Sequence, residues 1–471
     1  MMKSKRTWRY TACLLILVMF IGPTSATGGF FESLTIEKEK QIGEEFFLQI
    51  QNYYTISSDP YITSYINRLG QKLVSQLGPQ PYTYRFFVVD DPTMNAMAVP
   101  GGYIFITTGF LRVMEQEGEL AGVLAHEISH IHARHMARQM DKSKAATIAS
   151  MVGSLAAVLL GGPAAAAILV GTQGAAQSAM LKYSRDHEQE ADSLGFKWMV
   201  KAGYNPRDMI KVFQRLNKQR WFEAGETPLY LRTHPFTDAR IVNMDHQCSM
   251  YQDKLSLGRN SPDFQYFSLK VAASSANPHQ FFRRMTQASI REPQNPVFHF
   301  GKALALGRLE RSEEAVAEFQ QALNLDPGNV VIKRELAAHY FEGNRYQQAL
   351  PILRGLTRTS AQDEVILYYL GRIYQENQQT DQALAAMERV HSLNPAFIEV
   401  YHNLGTLYGE KGRLGLAHYY LGLHSLRARA YPTAMFHFKK ALINMPASDP
   451  HYSEVRSQVA RLEKLRVRVG D

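Results

Sequence analysis

The stretch LAGVLAHEISHIHARH, from Leu120 to His135, has four histidines and one glutamate in its last ten residues. The apolar residues before this cluster are typical of a helix that is buried in a protein core. Residues four apart lie on the same face of a helix, so His126 and His130 project side by side and can bind one metal ion. Glu127 lies about 100° around the helix axis, where its carboxylate reaches a water molecule at that ion without replacing a ligand.

The spacing H-E-x-x-H is typical of zinc sites in which the glutamate is the general base. We therefore predict one zinc ion per chain, with His126 and His130 as ligands and Glu127 as the residue that takes a proton from water. His132 lies on the opposite face of the helix, and His135 lies more than two turns beyond His126. Both are predicted to be solvent-exposed and to have no role in metal binding.

A third ligand must come from another part of the chain, because two histidines do not complete a zinc site. The segment YSRDHEQEADSLGF, from Tyr183 to Phe196, is acidic and has a helical pattern. Glu188 and Asp192 share one face of this helix. We predict that Glu188 is the ligand and that Asp192 accepts a hydrogen bond from a ligating imidazole. The other polar candidates of the segment are predicted to face solvent: Asp186, His187 and Glu190.

The first 26 residues have the composition of a secretory signal peptide. Four cations and no acid precede an apolar run, Thr11–Gly22, and small residues follow it up to Ala26. This run is shorter than the ~20 residues of a membrane-spanning helix, although a membrane anchor is the alternative. We predict that residues 1–26 are removed and that the mature chain is secreted.

Composition limits the classes of partner. Loss of the four N-terminal cations changes the formal net charge from +9 to +5, and the sequence has no long run of Lys or Arg. We therefore expect no nucleic-acid partner. Cys248 is the one cysteine of the mature sequence, so we expect it to be a buried structural residue and not part of a disulfide.

Two segments rich in aromatic and β-branched residues, Tyr82–Asp90 and Tyr103–Gly109, predict β-strands. The passage between them, DDPTMNAMAVPGG, is predicted to be a loop. Residues 145–180 have no charged side chain and are interrupted by Gly161, Gly162 and Pro163. They predict a hairpin of two helices, which either packs on the core of the protein or contacts a membrane surface.

The C-terminal half has an internal repeat with the 34-residue period of tetratricopeptide repeats (TPRs). The small residues that let two helices pack closely recur in one register: Ala315, Ala349, Ala383 and Ala417. We predict TPR repeats over residues 291–447, with a helix at 414–427 that belongs to two repeats. Residues 263–290 are predicted to be a linker, and residues 448–471 a C-terminal capping helix.

Four segments occur in the order found in zinc metalloproteases related to HtpX and the CAAX prenyl endopeptidase: VPGGYIFITTGFL, HEISH, SRDHEQEAD and THPFTDARI. Together with the signal peptide and the repeats, they resemble the group of β-barrel assembly-enhancing periplasmic proteases. The resemblance implies a mainly α chain, with an α+β zincin-like domain over residues 27–262 and an all-α TPR superhelix. It also implies that Glu188, the first glutamate of E-x-x-A-D, is the third ligand and that Asp192 is the matched aspartate.

The segment THPFTDAR, Thr233–Arg240, gains a role from the same resemblance. In this group the matching histidine can occupy the open position at the zinc ion, so we predict that His234 does so in a resting state. In a working state His234 is alternatively predicted to stabilise the oxyanion. Arg240 is predicted to orient this loop or the substrate.

The function expected from these features is that of a zinc endopeptidase in outer-membrane protein quality control. Its substrates are unfolded or misassembled outer-membrane proteins held by the repeats, and its partners include the β-barrel assembly machinery. An extended substrate is expected to pair with the edge of the strand before the site helix: Tyr103, Ile104, Phe105, Ile106 and Thr107. The alternative is a TPR chaperone or assembly factor whose proteolysis is occasional or inhibited by His234. Peripheral membrane contact is expected to involve residues 145–180.

Overall fold

The fold is described from a computed structural model of the full chain. The residues that it describes are 34–51, 53–141, 184–222, 228–251, 261–395, 397–428 and 430–469. The predicted signal peptide, 1–26, and the predicted apolar hairpin, 145–180, lie outside these residues. Among the helices that are described, none has the length and apolar character needed to cross a membrane.

The first part of the chain combines helices with one small sheet. Its elements are α1 (Ile36–Ile50), α2 (Pro60–Val74), β1 (Arg85–Val89), β2 (Ala96–Val99), β3 (Tyr103–Thr107), α3 (Thr108–Leu111), α4 (Glu117–His132), α5 (His135–Asp141), α6 (Arg185–Lys201), α7 (Arg207–Phe222), α8 (Leu229–Thr233) and α9 (Asp238–Met250). The apolar stretch of the sequence forms α4, which packs against α2, α6, α7 and β2. The side chains of α4 from Gly118 to Ile131 are buried, as expected for the central helix of a domain.

The three-stranded sheet has the order β1-β3-β2. Strand β3 pairs in parallel with β1, where Tyr103 lies opposite Arg85, and antiparallel with β2, where Tyr103 lies opposite Val99. The strand prediction for residues 103–107 is therefore confirmed, but the prediction that this strand offers a free edge is wrong. Four of the five residues have a strand partner on both sides: Tyr103, Ile104, Phe105 and Ile106. Thr107 pairs with Val89 of β1, and its backbone N–H donates to the Asn95 carbonyl just before β2.

Strand β2 lies in the passage that was predicted to be a loop. It is only four residues long and is followed by the turn residues Pro100, Gly101 and Gly102, so its own sequence gives a weak strand signal. The two glycines have φ values of 85° and 95°, which a side chain would disfavour, and they close the turn between β2 and β3. Pairing with β3 stabilises β2, a tertiary effect that strand propensity does not include.

The second part of the chain is an all-helical array. Its helices are α10 (Asp263–Ser275), α11 (Pro278–Arg291), α12 (Pro296–Arg308), α13 (Ser312–Leu325), α14 (Val330–Glu342), α15 (Tyr346–Thr357), α16 (Glu364–Glu376), α17 (Thr380–Leu393), α18 (Glu399–Glu410), α19 (Leu414–Arg427), α20 (Tyr431–Asn444) and α21 (Tyr452–Val469). The four alanines of the 34-residue repeat are buried between neighbouring helices: Ala315, Ala349, Ala383 and Ala417. The mainly α fold, with an α+β domain before a helical array, is confirmed.

The segment predicted to be a linker, 263–290, differs from the prediction because it forms helices α10 and α11. Asn277 caps α11, Pro278 occupies the first turn, and Phe281 and Met285 are buried against neighbouring helices. The repeat alanine is absent from this segment, so the 34-residue period could not reveal that it packs with the array.

The array contacts the first domain through the start of α2. Asp59 caps α2 by accepting hydrogen bonds from the backbone N–H groups of Tyr61 and Ile62, at 3.0 Å each. The Asp59 carboxylate also lies 3.2 Å from the Nζ atom of Lys270, which pairs with Glu335. The helix cap is therefore part of an ion network between the two domains.

Arg334 of α14 is at the centre of this contact. Its guanidinium lies 4.1 Å from the ring centroid of Tyr61, and its Nη1 atom is 2.6 Å from the Asp363 carboxylate. Ser64 adds a 2.6 Å hydrogen bond to Glu364 at the start of α16. Arg334 is only 2% exposed, so its charge depends on these neighbours for compensation.

Candidate metal centre and active site

Four buried side chains from separate elements converge in the first domain. His126 and His130 come from α4, Glu188 comes from α6, and His234 follows α8. One potential ligand atom from each residue lies within 4.8 Å of the others. The folded chain thus brings together all three predicted zinc ligands and the predicted gate.

The distances between these atoms fit a small tetrahedral ion. His126 Nε2 lies 3.0 Å from His130 Nε2 and 3.5 Å from Glu188 Oε2, and His130 Nε2 lies 3.5 Å from Glu188 Oε1. His234 Nδ1 lies 3.3 Å from His126 Nε2 and 3.0 Å from Glu188 Oε1. Zinc bonds of about 2.0–2.1 Å at tetrahedral angles place ligand atoms roughly 3.3 Å apart. The donor set and its spacing are therefore suitable for zinc.

Asp192 and Arg240 hold two members of this cluster in place. Asp192 Oδ1 lies 3.0 Å from His126 Nδ1, on the opposite side of the ring from the cluster. Arg240 donates to both oxygens of Asp192 at 2.7 Å, and its Nη1 atom lies 2.6 Å from Glu188 Oε2. Arg240 also donates to the Pro235 carbonyl at 2.9 Å, so it ties the His234 loop to the site.

The electrostatics of the cluster favour positive charge at its centre. Burial opposes ionisation of Glu188, but His234 and Arg240 outweigh burial and hold the pKa of its carboxyl well below the usual value. Burial likewise opposes protonation of His126, but hydrogen bonds to Asp192 and Glu188 raise its pKa to about 9. A cation is the species that such a site stabilises.

Glu127 lies beside the cluster and is fully buried. Neither of its carboxylate oxygens has a hydrogen-bond partner among the described residues, and His234 Nε2 is 3.7 Å from Oε1. A buried carboxylate without a partner is costly unless the site exists to bind water or substrate. Glu127 thus lies where the sequence predicts the general base, beside the cluster that could hold a metal ion.

Sequence reasoning missed Tyr230. Its ring stacks on His234 with centroids 4.6 Å apart, and burial, together with the nearby Glu127 and Glu188, raises the pKa of its hydroxyl well above 10. The hydroxyl stays protonated and can donate a hydrogen bond into the site. Tyr230 lies four residues before His234, so the same-face rule offered a signal that was not used.

The predictions that His135 and His187 face solvent are wrong. His135 is fully buried, and His187, which is largely buried, stacks on it at 4.4 Å. Glu190 is exposed, as predicted, and also pairs with His135. The physical reason is a bend: α4 ends at His132, and Arg134 has a φ of 53°, so the chain turns His135 back towards the site. A straight helix was the wrong assumption beyond residue 132.

Two other predictions for these segments agree with the structure. His132 and Asp186 are exposed, although His132 also contacts Trp198 edge-on at 5.1 Å between ring centroids. Cys248 is buried, and burial raises the pKa of its thiol to about 11. Its burial and raised pKa are as expected for a structural cysteine.

An H-E-x-x-H helix, a glutamate from a following helix and a buried carboxylate with no hydrogen-bond partner in the described part of the chain are typical of a metalloendopeptidase. Residues 60–247 match the sequence model of Peptidase family M48, and residues 303–373 and 366–396 match models of the tetratricopeptide repeat. The chain is thus a metalloendopeptidase whose peptidase domain is similar to Peptidase family M48 over residues 60–247 and precedes a TPR array.

Similar proteins support both parts of this assignment. The chain is 27% identical over 365 residues to the beta-barrel assembly-enhancing protease of Yersinia pestis, covering 76% of this chain and 74% of that protein. It is 26% identical over 402 residues to the protease of the same name from Escherichia coli, covering 77% and 82%. A shorter match, 35% identical over 166 residues, is to the mitochondrial metalloendopeptidase OMA1 of Saccharomyces cerevisiae, covering 34% and 46%.

Proposed function

We propose that this chain is a periplasmic zinc endopeptidase that degrades unfolded or misassembled outer-membrane proteins. The observation that carries the proposal is the buried set of His126, His130 and Glu188 beside a carboxylate, Glu127, that has no hydrogen-bond partner among the described residues. The relatives named for β-barrel assembly support the substrate class and the location.

In this proposal His126, His130 and Glu188 hold the zinc ion, one per chain. Zinc bound there would polarise the scissile carbonyl and lower the pKa of the attacking water. Glu127 takes the proton of that water and then delivers it to the leaving amine. The Tyr230 hydroxyl donates a hydrogen bond to the developing oxyanion. Asp192 accepts from His126 Nδ1, so the other ring nitrogen is directed to the metal.

The substrate strand is assigned to β2 instead of the central strand β3. Strand β2 is at the end of the sheet, packs against the site helix α4, and is paired only with β3 in the described part of the chain. Ala98 of β2 and His130 of α4 also line one small cavity. An extended peptide that pairs with β2 would therefore lie next to the metal centre and be recognised by its backbone.

The array supplies a separate surface for proteins. A groove of about 640 Å³ lies between α16 and α18, and its lining includes Arg372, Glu399, His402 and Asn403. Such mixed polar side chains suit the backbone and charged groups of an unfolded chain or of an assembly component. We propose that this groove contacts substrates and the β-barrel assembly machinery.

A chaperone function with inhibited proteolysis is the second candidate. The position of His234 favours this second function. Nδ1 of His234 lies 3.0 Å from Oε1 of Glu188 and 3.3 Å from Nε2 of His126, where the fourth ligand of a zinc ion would be. In that arrangement no position is left for the attacking water, and the array acts alone.

The function is tested with purified mature chain and one outer-membrane β-barrel protein, presented unfolded and folded. We expect zinc-loaded protein to cleave the unfolded form and to leave the folded form intact, because the barrel strands already pair with each other. Chelation should stop cleavage, and added zinc should restore it. Cleavage that survives complete removal of metal would contradict the proposal.

Replacing His234 by Ala tests the gate. If the inhibited arrangement is about ten times more populated than the open one, we expect kcat/KM for an unfolded substrate to rise by about tenfold. The control is His246→Ala, which removes an exposed imidazole from α9. An unchanged rate in His234→Ala refutes the gate, and a lower rate assigns His234 to oxyanion stabilisation instead.

A further inference from the structure

His135 connects the metal centre to a carboxylate outside it. Its Nδ1 atom lies 2.8 Å from Nδ1 of His130, and its Nε2 atom lies 3.2 Å from Oε2 of Glu190. The ring stacks on His187 with an angle of 11° between the two planes. Arg138 Nη2 lies 2.5 Å from the same Glu190 oxygen. The His135 ring is therefore fixed on both nitrogens and on one face.

The hydrogen bonds allow one arrangement of protons when His130 binds metal. Nε2 of His130 faces the cluster and must offer its lone pair, so Nδ1 carries the hydrogen and donates it to Nδ1 of His135. Nδ1 of His135 then has no hydrogen, and its Nε2–H group donates to Glu190. Each of these two imidazole N–H groups has an acceptor, and Arg138 pairs with the same Glu190 oxygen that accepts from His135.

We propose that His135 is a positioning residue for His130, and that Glu190 anchors His135. The pair orients the His130 imidazole and fixes its tautomer, as Asp192 does for His126. This inference rests on the proposed zinc-dependent function, because the expected consequence of positioning His130 is tighter binding of zinc at the site. Groups that hydrogen-bond to a ligating histidine contribute about 10–100-fold to metal affinity.

Two substitutions separate positioning from packing. His135→Phe keeps a ring that can stack on His187 but removes the acceptor for His130 Nδ1–H. His135→Asn loses the ring but keeps an acceptor oxygen near the position of Nδ1. Zinc affinity of the full mature chain is measured by competition with a chromophoric chelator, and thermal unfolding without metal is measured in parallel.

We expect His135→Phe to bind zinc about 10–100-fold more weakly than the parent and His135→Asn to bind it nearly as well. His132→Phe, on the same bend but exposed, is the control and should not change the affinity. If His135 acts only through packing, His135→Asn should lose more zinc affinity than His135→Phe. The inference is overturned if His135→Phe binds zinc as tightly as the parent, or if both variants lose the same affinity.

Glu190→Ala keeps the test available if His135→Phe does not fold, since the Glu190 side chain is 42% exposed. It removes the acceptor for His135 Nε2–H and should weaken zinc binding by about tenfold. Suppose that the parent binds zinc and cleaves substrate. If Glu190→Ala and His135→Phe then bind zinc as tightly as the parent does, this inference alone is overturned. A parent that binds no zinc overturns the proposed function as well.

Discussion

Glu127→Gln is expected to reduce the rate of peptide cleavage by about 10²–10⁴-fold, the usual contribution of a general acid–base group. The amide has the size of the carboxylate but cannot take a proton from the attacking water. Zinc content should not change, because Glu127 is not among the four residues whose donor atoms converge. The measurements are kcat on an unfolded substrate and metal content of the same preparation.

The matched control is Asp186→Asn, which neutralises an exposed acid on the helix that carries Glu188. It should cleave at the parental rate. Persistent cleavage by pure Glu127→Gln protein with full zinc content would remove Glu127 from the mechanism. In cells, full function of the Glu127→Gln protein would instead favour the chaperone alternative, because the array is unaltered.

The candidate metal centre was largely predictable because two of its residues, His126 and His130, lie close together in the sequence. The four-residue spacing of His126 and His130 fixes their common face in any helix, and the same rule pairs Glu188 with Asp192. The structure brings these residues together, but the rule says nothing about how two helices approach each other. Arg240, which joins Glu188 to Asp192, was placed near the site by resemblance and not by spacing.

The errors occur where tertiary contacts decide the outcome. Strand β3 was correctly located, yet its pairing depends on β2, a short segment whose strand character comes from its partner. His135 was assigned to solvent because a straight helix was assumed, whereas the backbone bends at Arg134.

The contact between the two domains was not predicted at all, and its removal should have a large effect on stability. Arg334→Ala is expected to lower the free energy of unfolding by about 3–5 kcal/mol, since it leaves the largely buried Asp363 without its cation. Lys439→Ala, which breaks an exposed pair with Glu463 in the same array, is the control and should cause no measurable change. Urea unfolding of the full chain gives both values.

A double-mutant cycle shows whether this loss belongs to the interface. Arg334 stacks on Tyr61 of the other domain, so Arg334→Ala and Tyr61→Leu should be non-additive by about 2 kcal/mol, the value of a desolvated cation–π contact. Tyr61→Phe keeps the aromatic face and should keep most of the coupling. Additive losses in the Tyr61→Leu cycle would mean that Arg334 stabilises only the array. Coupling would mean that the peptidase domain and the TPR array are held as one unit.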